Sequence, residues 1–278
     1  DSEYYGDFAH YGLNEGNLIS PNGLAEDLDT RLFVSDDYTH QISSYSLDGD
    51  FIGRWGKHGN APGELDYPSG IAFNSENHLY VSDSKNHRIQ VFTAEGNFLR
   101  TFGNLGDKEG QFNLPWGIFI NNNDELFVAD WGNNRIQKFA NDEYIESYYC
   151  KSDNSTHLKH PSSITQLTSG ELIVADWGNE KVKILDKQDN LIKEFRGESG
   201  ISKWANDFLE TNVEENETRK ISNLENLDAI SELSDPHSIS AHIEKYFWSP
   251  VSVTLDPENR IYVTESNRHR IQVYAPSE

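Results

Sequence analysis

Five acidic residues recur at matching places in this chain of 278 residues, and five positions beyond most of them stands a cation. Asp36, Asp83, Asp130, Asp176 and Glu265 precede Gln41, Arg88, Arg135, Lys181 and Arg270 in that order. A ring of carboxylates is one way to hold a divalent metal at an axis. The same pairs can instead tie a tight turn through charge-assisted hydrogen bonds. Presence in every copy favours the structural use, because acidic side chains are buried mainly when paired. A second chemistry rests on His157, His160, His237 and His242, which lie outside the recurring positions. Imidazoles brought together near an axis could ligate zinc, although their spacing matches no compact ligand motif. A third rests on Tyr38, Trp116, Trp131, Trp177, Trp204 and Trp248. Their rings suit stacking on sugars, peptides or aromatic ligands, or else packing between neighbouring elements. There is no Gly-x-Ser-x-Gly elbow, phosphate loop or Cys–His nucleophile pair.

The elements that carry these residues repeat. The segments LFVSDDYTHQISSY, LYVSDSKNHRIQVF, LFVADWGNNRIQKF, LIVADWGNEKVKIL and IYVTESNRHRIQVY each follow a proline-headed stretch. Those prolines, Pro21, Pro68, Pro115, Pro161 and Pro250, are spaced 47, 47, 46 and 89 residues apart. Self-similarity at this period, with several short strands per unit, predicts an all-β fold, a β-propeller. In the second copy, residues 68–73 read as an inner strand, 79–83 and 87–92 as an antiparallel pair, and 98–102 as an outer strand. Residues 103–114 then cross to the next blade. Glu15-Gly16-Asn17 matches Glu109-Gly110-Gln111 in spacing, so residues 1–20 read as an outer strand plus a crossover. A strand around residues 8–11 is therefore expected to pair with the C-terminal blade and close the ring. The long interval holds an insertion over 198–249, in which the patterns at 202–209, 223–230 and 240–248 predict short helices. The expectation is one domain over 1–278 with five four-stranded blades, or six if the insertion forms a degenerate blade.

The turn before each third strand reads Asn86-His87-Arg88-Ile89, Asn133-Asn134-Arg135-Ile136 and Arg268-His269-Arg270-Ile271 in three copies, with weaker versions in the other two. These units resemble NHL repeats, and the insertion is similar to one in uncharacterised bacterial NHL-repeat proteins. The resemblance covers residues 1–197 and 250–274. It implies a propeller, usually of six blades, that serves as a protein-binding platform, an RNA-binding domain or, in some members, an enzyme. One NHL-type enzyme holds zinc with propeller histidines, so the resemblance keeps a divalent metal, zinc or calcium, in view.

Charge narrows the partners. With 46 acidic against 23 basic residues, the net charge is −23, which repels nucleic-acid phosphate and anionic lipid. No apolar run is long enough to span a bilayer. The lone Cys150 excludes an internal disulfide. The expectation is a soluble protein with no nucleic-acid or membrane partner and, because the chain holds no Met, one whose leader has already been removed before Asp1. Turns after the second and fourth strands of a blade open on one face, which also bears the insertion. The leading functional expectation is a non-catalytic platform taking a protein or small ligand on that face. The alternative is a metal-dependent lyase or hydrolase working in the axial cleft.

Overall fold

Each proline-headed segment forms an inner strand because its small and β-branched residues fit the crowded axis and its proline needs no ladder partner at the strand start. The computed structural model describes residues 8–151, 157–200, 203–222 and 233–275. The first blade comprises β1 (Pro21–Glu26), β2 (Leu32–Asp36), β3 (Gln41–Tyr45) and β4 (Phe51–Trp55). The second holds β5 (Pro68–Phe73), β6 (His78–Asp83), β7 (Arg88–Thr93) and β8 (Phe98–Phe102). The third holds β9 (Pro115–Ile120), β10 (Glu125–Asp130), β11 (Arg135–Ala140) and β12 (Glu143–Tyr148). The fourth holds β13 (Pro161–Gln166), β14 (Leu172–Asp176), β15 (Lys181–Leu185) and β16 (Leu191–Phe195). The last holds β17 (Pro250–Leu255), β18 (Ile261–Glu265) and β19 (Arg270–Tyr274). Every sheet is a simple antiparallel meander, giving a propeller of five blades whose last sheet has three strands among the described residues.

Side chains that alternate along each strand bury themselves between adjacent sheets. Phe33 and Ile42 of the first blade meet Leu79, Val81 and Phe92 of the second, and the next three junctions, up to that between the fourth and fifth blades, repeat the arrangement. At the axis the inner strands touch through their backbones. A Cβ on Gly70 would fall 2.6 Å from the Trp116 carbonyl oxygen, and one on Gly117 2.4 Å from that of Ser162. In the fourth blade Ser163 takes this place, and its hydroxyl bonds the amide of Val253 at 3.2 Å.

Around residues 8–11, where the closing strand was expected, the described residues form no strand, and residues 1–7 lie outside them. Phe8 packs on Tyr45 with ring centres 5.1 Å apart, as Trp55 packs on Phe92 and Phe102 on Phe139. Phe8 thus stands where the last residue of an outer strand stands in other blades. Tyr11 bridges Leu18, just as His58 bridges Leu65 and Leu105 bridges Phe112, so residues 11–18 are crossover and not part of a closing strand.

Among the described residues the insertion contains no strand, so it forms no sixth blade. Its helices among the described residues are α1 (Lys203–Thr211), α2 (Val213–Ile221) and α3 (Pro236–His242). The expected helix at 202–209 forms as α1, and the one at 223–230 lies outside the described residues. Helix α2 was not foreseen, because its few apolar residues, Val213 and Ile221, are exposed and leave no stripe to read. The helix expected at 240–248 sits earlier. Asp235 caps α3 by accepting the Ser238 amide at 2.9 Å, and Pro236 takes the first helical position.

The recurring carboxylates are turn hubs and not an axial ring. Asp83 accepts the Asp66 amide at 2.6 Å, Arg88 Nε at 2.7 Å and Gln90 Nε2 at 2.9 Å. Asp130 repeats this with Asn113, Arg135 and Gln137. Glu265 does so with Trp248, Arg270 and Gln272. The arginines go on to bind crossover carbonyls: Arg135 donates to Asp107, Lys108 and Gln111. In the fourth blade the expected cation is replaced. Asp176 pairs with Lys183 at 2.9 Å, two residues further along, while Lys181 turns outward to Glu194. In the first blade Asp36 takes the amides of Ile19, Ser20, Tyr38 and Thr39 instead of a cation. Burial pushes the carboxyls of Asp83, Asp130 and Asp176 above their ordinary value against the pull of these partners. At Asp36 burial also pushes upward, but the amides outweigh it and the carboxyl titrates low.

Arg135 and Asp130 are 4% and 0% exposed, so removing the guanidinium strands a buried carboxylate. The variant Arg135→Ala should lose about 3–5 kcal/mol of unfolding free energy. Gln41→Ala in the first blade should lose about 1 kcal/mol, the size of one hydrogen bond to the Gly56 carbonyl. Urea denaturation of both variants against the parent checks the difference.

Candidate functional site

Between the second and third strands the chain makes one tight turn and enters the left-handed region for a single residue. His40, His87, Asn134 and Glu180 occupy that position, with φ of 58°, 54°, 57° and 54°. Each side chain reaches the next blade and accepts the amide of the residue before its proline. His40 Nδ1 takes Tyr67 at 3.1 Å and His87 Nδ1 takes Leu114 at 3.1 Å. Asn134 Oδ1 takes His160 at 2.8 Å and Glu180 Oε2 takes Ser249 at 2.6 Å. The turn position is therefore an interblade clamp. His269, its counterpart in the last blade, is exposed.

Where the clamps of the third and fourth blades lie, aromatic rings gather into a band. Trp131 stacks on His160 with centres 4.0 Å apart and planes 20° apart. Trp177 follows, 6.1 Å from Trp131 and 6.4 Å from His237. His237 belongs to α3, and its Nε2 accepts the Trp248 indole N–H at 2.9 Å. Because the indole can only donate, the His237 proton sits on Nδ1 and is given to Glu180 Oε1 at 2.6 Å. The Arg268 guanidinium lies 5.5 Å from the Trp248 ring centre and donates to the carbonyls of Ser240 and Ile243. One buried carboxylate, 1% exposed, thus joins the fourth blade, the start of the fifth and the helical insertion.

The residues singled out from sequence divide accordingly. Trp131, Trp177 and Trp248 come together, and with them His160 and His237 as ring partners. Tyr38 lies apart, 63% exposed on the turn of the first blade. Trp116 lines the axial channel, a space of about 1060 Å³ walled by all five inner strands. Trp204 belongs to α1, and its side chain is outside the described residues. The four histidines do not converge on one point. His157 Nδ1 bonds the Cys150 carbonyl at 3.1 Å, and His242 Nδ1 bonds the Ser238 carbonyl of its own helix at 2.7 Å. Glu180 and Arg268 were missed as site residues. The signal for Glu180 was present, since it replaces the His or Asn that other copies carry at the clamp.

Burial raises the Glu180 carboxyl above its usual value of 4.5, against the opposing hydrogen bonds of Ser249 and His237. A raised folded-state value means that the contribution of this group to stability is fully present below about pH 4.5 and is lost as pH rises through the raised value. Glu180→Gln keeps an acceptor for Ser249 but cannot ionise. Melting curves from acid to neutral pH should show the variant gaining on the parent as pH rises, and a constant difference would contradict this assignment.

The NHL repeat family matches residues 65–92, 112–139 and 247–274. Among solved structures, virginiamycin B lyase from Staphylococcus aureus is similar at 13% identity and TM-score 0.54, over 93% of this chain and 71% of that one. A streptogramin B lyase is similar at 15% identity and TM-score 0.55, over 98% and 87%. Glutaminyl cyclase from Myxococcus xanthus gives 12% identity and TM-score 0.51, over 92% and 91%. At such identities the likeness is one of fold alone. No curated protein sequence matches the chain. Three family-matched repeats within five blades make this chain a β-propeller that carries NHL repeats.

Proposed function

We propose that this chain is a non-catalytic binding platform that takes a protein or small ligand on the face bearing the insertion. The observation that carries the reading is the band Trp131–His160–Trp177–His237–Trp248, five rings in sequence that are each only partly buried. Large rings already held by stacking and hydrogen bonds lose little entropy when a ligand covers them, and such residues dominate binding energy at interfaces. The band rests on two clamped blade junctions and α3, so its shape is set before a ligand arrives. Its partly exposed rings and the net charge of −23 suit a ligand with aromatic, sugar or cationic groups.

The test begins with peptides and oligosaccharides that quench the tryptophan fluorescence of the parent chain. Calorimetric titration of the same compounds should show binding weakened by nearly a thousandfold in the Trp131→Ala/Trp177→Ala double variant, the expectation for two anchors of about 2 kcal/mol each. A folded double variant with parental affinity would remove the band from the binding site.

A further inference from the structure

The first interblade junction differs from the others in a way that the aromatic band does not use. At the second junction the clamp His87 has Leu105 and Asn113 at the crossover positions beside it; at the first, His40 has His58 and Asp66. Asp66 Oδ1 lies 3.3 Å from His58 Nε2 and 3.6 Å from His40 Nδ1. One nitrogen from each imidazole and one Asp66 oxygen all fall within 4.8 Å of one another. We infer that His40, His58 and Asp66 form a binding site for a divalent transition metal, with zinc as the best-suited ion.

The spacing is that of a ligand set. Zinc bonds of about 2.0–2.2 Å in a tetrahedron put neighbouring ligand atoms roughly 3.3–3.5 Å apart. The two measured Asp66 separations bracket that edge closely. The donor types fit as well, since imidazole and carboxylate together select borderline cations over calcium, which prefers oxygen alone. Asp66 is held in place by its own backbone: its amide binds Asp83 Oδ1 and its carbonyl accepts the Lys85 amide at 3.1 Å. Among the described residues no hydrogen bond reaches its carboxylate, and the two imidazoles are what face it. His40 Nδ1 now accepts the Tyr67 amide at 3.1 Å, a bond worth about 1 kcal/mol that ligation displaces. The site has three protein ligands and opens to solvent through His58, whose side chain is 65% exposed. A fourth position is therefore free for water or for a ligand atom brought by a partner.

The experiment titrates chelator-stripped protein with zinc by calorimetry and with cobalt(II) by visible absorption. The parent should bind one equivalent and show the intense bands of a tetrahedral cobalt centre. His58→Ala and Asp66→Asn remove an exposed imidazole and a carboxylate without hydrogen bonds, so both variants should fold. Each should weaken the metal by more than the roughly 10–100-fold that outer-shell changes cost, while His242→Ala should bind as the parent does. Zinc should raise the melting temperature of the parent and of His242→Ala only. Absence of one-to-one binding by the parent, or parental affinity in either ligand variant, would overturn the assignment.

Discussion

The buried carboxylate that ends each second strand is the constraint on which the other interactions depend. Placing a carboxylate at 0–1% exposure costs several kcal/mol unless its oxygens are filled. The last four blades fill them by drawing the crossover amide, the returning third strand and a cation to one point. That is why the crossover loops, which lack strand partners, are ordered against the sheets: Asn86 and Asn133 bind the Gly59 and Gly106 carbonyls, and Arg88 and Arg135 bind further carbonyls of the same loops. The hub is defined by occupancy of its oxygens and not by one partner. Lys183 in the fourth blade and four backbone amides in the first do the work done elsewhere by arginine.

A second repeated position turns this framework into a site. The left-handed residue after each turn needs only one acceptor atom to clamp the next blade, and His, Asn and Glu all supply it. Where the residue has a further polar atom, that atom is free for other work. Asn134 stops at the clamp. Glu180 has a second oxygen, which binds His237 and thereby brings α3 and Trp248 against the fourth blade. Individual character thus enters at positions whose structural duty is already met by one of their atoms.

This division explains what the sequence made legible. Strand starts, the order of the sheets and the buried hubs followed from period and alternation, because every copy states them again. That Trp131 and Trp177 share a face with the insertion carrying Trp248 was legible, but that these three rings come together while Tyr38 and Trp116 lie apart was not. Nor were the partners of His160 and His237, because ring stacking and an indole-to-imidazole bond depend on distances of 4.0 Å and 2.9 Å that spacing along a chain does not encode. Lys183 escaped notice for a related reason. It stands where Gln90 and Gln137 stand, so the role moved by two residues while the visible motif kept a lysine at 181. In the insertion no repeat restates anything, and α3 was fixed by the cap at Asp235 more than by its apolar spacing.

The position of the aromatic band around the ring has a physical reason of its own. In a repeat array each unit is stabilised by its neighbours, so a site is most rigid between units that are clamped on both sides. Ile89, Ile136 and Val182 are fully buried by the following blade, whereas Ile271 and Val273 of the last blade are 61% and 52% exposed. The turns that carry Trp131 and Trp177 lie at junctions whose clamps, hubs and apolar faces are all engaged. The insertion enters between the fourth and fifth blades, where α3 reaches the Trp177 turn through Glu180. A band built there has its backbone held by the ring and its ring partners supplied by the insertion, so each part of the structure supplies what the other lacks.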